Sequence, residues 1–333
     1  MGLPVTIYRW DDAGAPQLTN QTPSELIDIL TKCLVDGYGA KQPLGWTIPF
    51  ENLASQSVMF RNSIAHGGSG GVVRLSSVGG NASRTWLRMY ASQDAVGIDN
   101  QINVGRKDMF GAPYSKYTAW ILVGTPTAFF VIFCDPTGQM VSTSNIPEYT
   151  AYIGDFDNYL PADSGRFIAI AYADYSGDYT SASGSTSYGS TLSSLTRTCG
   201  NDYANYTTLK LTYADGTLGT DLYGLISWLN FNSSASSSIF SHTTPINIFL
   251  PFLVCLNKRI TDTPLDPDGL PYRYSVKSPV IRGAIKGLTH EVIPRYVSAD
   301  ITWPHIENVN GKSQLLLRST SQLLSMWINL EEW

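Results

Sequence analysis

Along these 333 residues the spacing of apolar positions takes a helical rhythm once and a strand rhythm almost everywhere else. In residues 22–36, Leu26, Ile27, Ile29, Leu30, Cys33 and Leu34 recur on one helical face, while Ser24, Glu25, Asp28, Thr31 and Lys32 fall mainly on the other. The start signals coincide. Thr22 suits the N-cap, Pro23 the first helical position, and Glu25 stands three residues after the cap, where it closes a capping box. Gly37 is the left-handed stop, and Tyr38 with Gly39 turns the chain toward Trp46. The pattern predicts one amphipathic helix over 22–36, with Asp28 and Lys32 paired one turn apart on its surface.

Beyond the helix the rhythm shortens. "GGVVRL" and "RTWLRMY" alternate as half-buried strands do, and "HGGSGG" at 66–71 links two such runs as a hairpin or turn. "AFFVIFC" is apolar on both faces, which predicts a central strand covered on one side by another element, the helix being the candidate cover. The whole predicts a mainly β protein of antiparallel, sandwich-like sheets with one N-terminal helix packed on a sheet. Residues 175–200 and 230–243 are nearly all small, polar or Tyr and read as excursions from the core. The expected division is a β-rich part over 1–245 and a second over 246–333, which the absence of a visible linker allows to be one domain.

Composition narrows the function. Only 15% of residues are charged and the net charge is -5, so there is no basic stripe of the kind that nucleic acid requires, and no nucleic-acid partner is expected. The longest apolar runs are too short and interrupted for a membrane span. The N-terminus lacks the basic and apolar regions of a signal peptide, which predicts synthesis in the cytoplasm. The cysteines, Cys33, Cys134, Cys199 and Cys255, lie too far apart for a zinc motif, and Cys33 and Cys134 sit in apolar runs as reduced core residues.

Candidate chemistry is sparse. "HGGSGG" lacks the Gly-Lys-Ser/Thr ending of a phosphate loop and opens no helix. Asp155, Asp157 and Asp163 could imitate a glycosidase pair or a calcium loop, but Asx turns at strand ends are the commoner use of such aspartates, and "DPDG" at 266–269 reads as a turn. The four histidines stand in no HExxH or triad-like context. The expectation is no enzyme, no catalytic or metal-binding residue and no cofactor. Tyr175, Tyr179 and Tyr188, set among Ser, Thr and Gly, have the composition of adaptable binding loops and are the candidate interface or glycan contacts.

Three stretches carry a resemblance. "PVTIYRWDDAGAPQLTNQTPSELIDILTKCLVDGYGAKQPLGWTIPFE", "IGDFDNYLPAD" and "SPVIRGAIKGL", in that order, resemble segments of a family of tailed-bacteriophage virion structural proteins. The resemblance implies a virion component made in the bacterial host, placed at the tail tip, baseplate or fibre attachment, or as capsid decoration. It implies other virion proteins as partners and a homo-oligomer in a symmetric assembly. Thr22, Glu25, Gly37, Tyr38, Gly39 and Trp46 then form a scaffold motif. The alternatives are a phage protein that binds a host-surface glycan and, less favoured, a glycan-degrading enzyme using Asp155 and Asp157.

Overall fold

The computed structural model describes residues 2–112, 115–136, 139–140, 149–171, 209–212, 216, 218–226, 248–256, 281–291, 301–318 and 325–333. The helix begins as the sequence indicates. In α1 (Pro23–Thr31) the Thr22 hydroxyl accepts from the Glu25 amide at 3.3 Å, and the Glu25 carboxylate accepts from the Thr22 amide at 3.2 Å. The turn that follows, Lys32–Asp36, is a wide π turn, closed by a bond from the Gly37 amide to the Lys32 carbonyl. Gly37 stops it with a φ of 79°. Because that turn leaves the Cys33 and Leu34 carbonyls without helical donors, the segment leading into the next strand supplies them. Leu44 and Trp46 each donate an amide across 3.0 Å. The intervening turn is tight: a Cβ on Gly39 would lie 2.3 Å from the Ala13 carbonyl oxygen. The helix surface departs from expectation in one respect. Lys32 pairs with Asp36 at 3.0 Å and not with Asp28, because a single ammonium takes the nearer carboxylate and Asp28 adds only a longer-range attraction.

The six apolar positions of the helix face are all buried, and they pack on one side of a central antiparallel sheet. Its order is β1 (Thr6–Arg9), β7 (Ala119–Gly124), β8 (Ala128–Cys134), β10 (Tyr149–Asp155) and β12 (Phe167–Ile170). The continuous apolar run is β8, in the middle. Phe129, Val131 and Phe133 face the helix and a second sheet, β2 (Thr47–Asn52), β3 (Ser57–Arg61), β4 (Val72–Ser77), β5 (Leu87–Gly97) and β6 (Asn100–Phe110). Phe130, Ile132 and Cys134 face a third. That third sheet runs β13 (Leu209–Thr212), β14 (Leu218–Ile226), β15 (Phe249–Leu256), β16 (Ile281–Glu291), β20 (Ser325–Asn329), β19 (Lys312–Arg318), β18 (Ile306–Val309), with β11 (Asp157–Asn158) paired to β16. A two-stranded ribbon joins β9 (Gln139–Met140) to β17 (Ile301–Thr302).

The architecture is therefore three β layers with apolar cores on either side of the central sheet. A strand with both faces covered needs no polar alternation, which is why β8 reads as unbroken hydrophobic sequence. Pairing of β14 with β15 joins residues from either side of position 245 in one sheet. The chain ends also meet: the Leu3 amide donates to the Trp333 carbonyl and the Val5 amide to that of Glu331. Cys33 and Cys134 are buried, unpaired thiols, and burial raises the pKa of each, so both are held as neutral core groups.

Candidate functional site

The polar side chains that sequence analysis singled out converge where the three sheets meet. β10 ends at Asp155, a buried residue whose carboxylate reaches across to the glycine-rich loop between β3 and β4. It accepts from the Ser69 amide at 2.7 Å, the Ser69 hydroxyl at 2.6 Å and Arg166 Nε at 3.1 Å. Arg166 also donates to the Gly67 carbonyl at 2.8 Å, so the loop is held from two sides. Within the loop, Gly68 donates to the Ser63 carbonyl, Gly70 to Asn62 Oδ1 and Gly71 to Ser69 Oγ. The amides of residues 68–71 are thus directed inward. A phosphate would need them pointing at the ligand.

A second charged pair closes the other side. Asp163 and Arg282 have fully buried side chains and pair bidentately through Arg282 Nε and Nη2. The remaining Arg282 nitrogen, Nη1, donates to the Thr212 carbonyl at 2.7 Å, and Asp163 Oδ1 also accepts from the Gly165 amide at 2.9 Å, an Asx turn. The Arg282 guanidinium lies 5.6 Å from the centre of the Phe156 ring. Asp157 is half exposed and faces the Lys286 ammonium at 3.4 Å. Of the three aspartates, Asp163 serves an Asx turn as expected. Asp155 does not: it crosses between sheets, because the glycine loop brings donors to it that its own turn does not supply.

Between these groups lies the turn of Thr125, Pro126 and Thr127, joining β7 to β8. The Trp46 indole donates to the Thr125 carbonyl at 3.3 Å, the Asp155 amide to the Thr127 carbonyl at 3.1 Å, and Lys286 to the Thr127 hydroxyl at 3.2 Å. Close approach is built in at Gly283, where a Cβ would lie 1.9 Å from the Asp157 carbonyl oxygen. Tyr152, fully enclosed, donates to the Asp155 carbonyl at 2.6 Å; burial, with Asp157 and Asp155 nearby, raises its pKa and keeps it a donor.

The chemistry of this junction is cohesive. Arg166 and two Ser69 donors hold Asp155, so its carboxylate ties the central sheet to the glycine loop. Ser63 Oγ and His66 Nδ1 are 2.8 Å apart, but His66 is exposed, and among the described residues no carboxylate is bonded to its ring to orient it as a general base. Among the described residues no group of three or more His, Cys, Asp or Glu could hold a metal ion, and no helix is long and apolar enough to cross a membrane. Tyr175, Tyr179 and Tyr188, and the "DPDG" turn, lie outside the described residues.

The scaffold residues are all accounted for. Thr22 and Glu25 cap the helix, Gly37 and Gly39 shape the turn, Trp46 anchors to Thr125, and the Tyr38 hydroxyl donates to Asp12 at 2.9 Å. Sequence reasoning missed Ser69, Arg166 and Arg282 as partners of the aspartates. Only Arg282 left a trace, as one of two charges, with Lys286, inside the apolar run "SPVIRGAIKGL".

Fold and junction together define a three-layer antiparallel β protein whose charged residues tie its layers to one another. No protein-family model matches the chain, and no curated protein matches it.

Proposed function

We propose that this chain is a structural component of a tailed-bacteriophage particle, at the tail tip, baseplate or fibre attachment. On this reading it acts by contact with other virion proteins and with copies of itself, without catalysis.

One observation carries the reading. The three stretches that resemble the phage family lie far apart in sequence, yet each sends a group to the same Thr125–Thr127 turn: Trp46 from the first, Asp155 from the second, Lys286 from the third. The second and third also pair directly, Asp157 with Ala284 and Asn158 with Gly283, and Arg282 binds Asp163. A resemblance spread over such residues is a resemblance in how layers are joined, which is what a family of assembly subunits would share. Trp46, Asp155, Asp163 and Arg282 are buried within the molecule, which leaves its outer faces for neighbours.

The test is the particle itself. Purified virions of the phage that encodes the chain are digested for quantitative mass spectrometry and labelled with gold-conjugated antibody against residues 175–200. A handful to a dozen copies with label at one tail end supports the reading. Hundreds of copies with label over the head move the protein to capsid decoration, and absence from washed particles overturns the proposal.

A further inference from the structure

A buried polar side chain with nothing to bond is a weak point that a change of charge can open. His290, on β16, is one: it is buried, and among the described residues neither ring nitrogen has a hydrogen-bond partner. Its ring meets that of Phe252 edge to face, with 5.0 Å between centroids and an interplanar angle of 85°. Leu250 on β15 and Met326 on β20 stand directly opposite it. None of these three neighbours carries charge. Glu291, the next residue of β16, points to the other face of the sheet, as strand alternation requires. In the apolar cluster that holds Phe252 and Met326, the titratable groups are Tyr152 and Cys134, and burial keeps both neutral.

The strand beside this ring is weakly held. Among the described residues β14 pairs only with residues 254–256 of β15, so residues 249–251 have β16 as their one partner strand. Within that stretch Pro251 brings no amide, and the register shifts between Pro251 and Leu253. The Thr289 hydroxyl, on the residue opposite Pro251, is enclosed without a partner among the described residues. Solvent is close, for Leu250 is 38% exposed and Ile248 50%.

We infer that His290 is an acid-sensitive catch for β15: when its ring takes up a proton, residues 249–251 come away from β16 and the imidazolium reaches water. The direction follows from solvation. Burial lowers the pKa of the enclosed ring below the ordinary 6.5, whereas the freed ring, surrounded by water, returns to it. Opening therefore takes up a proton, so the closed pairing is fully favoured above pH 6.5 and gives way as pH falls below it. Release of residues 249–251 bares the apolar side chains of Phe252 and Met326, which are fully enclosed in the closed state. The device is independent of whether the chain belongs to a phage particle.

Hydrogen exchange followed residue by residue between pH 7 and 5, with each rate corrected for the intrinsic dependence of exchange on pH, tests the catch. Protection of the amides of Phe249, Leu250, Phe252 and Leu253, and of residues 288–291, is expected to fall by up to about tenfold for each pH unit below 6.5, while the β8 amides keep theirs. His290→Phe, which fills the same space and cannot be protonated, is expected to hold the protection of those amides constant over the range. Unchanged protection in wild type overturns the inference. So does an equal fall in His290→Phe, and so does a fall shared equally by β8, which is global unfolding. If near-ultraviolet circular dichroism shows that His290→Phe has lost its fold, His290→Gln, polar but uncharged over this range, is read by the same exchange measurement and decides the matter.

Discussion

Replacing Arg282 with Met tests whether the junction holds the layers together. In the native protein both partners of the Arg282–Asp163 pair are shut off from solvent, and the guanidinium also serves the Thr212 carbonyl. Methionine fills much of the space but leaves Asp163 with the Gly165 amide as its remaining described donor. Breaking one side of a buried pair costs about 3–5 kcal/mol, because the surviving charge stays desolvated. Melting followed by near-ultraviolet circular dichroism should show a fall on the order of 10 °C. The double variant Arg282→Met/Asp163→Leu removes both charges and should be more stable than Arg282→Met alone, since an apolar pair of similar volume needs no solvation. A single-variant loss below about 1 kcal/mol, or a double variant in which the two losses simply add, would refute the account of the pair as a desolvated tie between β16 and the 159–166 loop.

Three further outcomes follow from the same geometry. Gly283→Ala drives a Cβ into the Asp157 carbonyl, so β11 is pushed off β16; urea denaturation should show a loss of about 2 kcal/mol or more. Trp333→Ala removes the edge-on contact with Phe130 and the indole bond to the Asn329 carbonyl; for a partly exposed indole the expected loss is about 2 kcal/mol, read in the same assay. His290 is 2% exposed, neither ring nitrogen has a hydrogen-bond partner among the described residues, and burial lowers its pKa below the ordinary 6.5. The unfolded chain therefore takes up a proton first as pH falls, so stability is flat with respect to this group above 6.5 and declines below it. His290→Phe should flatten that decline between pH 7 and 5, and an unchanged slope would show that His290 does not contribute to it.

What the sequence displays and what it hides divide by distance. The start of α1 is legible because the Thr22–Glu25 capping box is made within four residues, and the place of β8 is legible because a strand covered on both faces needs apolar residues throughout. The widening of the last helical turn is not, and the Cys33 and Leu34 carbonyls it frees are met by Leu44 and Trp46, donors that lie beyond the turn. Ser69 finds Asp155 across 86 positions, and Arg282 finds Asp163 across 119. No local spacing encodes such pairs. The aspartates stand out in sequence as charges in strand and turn surroundings, but their roles depend on donors that only the packing of the sheets supplies.

The saturation of the junction bears on where this protein can meet anything else. A binding or catalytic site needs donors or acceptors with unmet capacity, and the glycine loop has its amides from 68 to 71 turned inward, toward Ser63, Asp155, Asn62 and Ser69. To receive an anion it would first have to break those bonds, and a buried group left unpaired costs about 1–3 kcal/mol. Asp155, moreover, would stand as a negative charge beneath the ligand. Among the described residues, Ile64, Val96 and Tyr159 are large side chains more than half exposed. On the proposed reading, exposed apolar side chains outside and the Asp155 and Asp163 carboxylates buried between the layers would suit a subunit that works through contact with its neighbours.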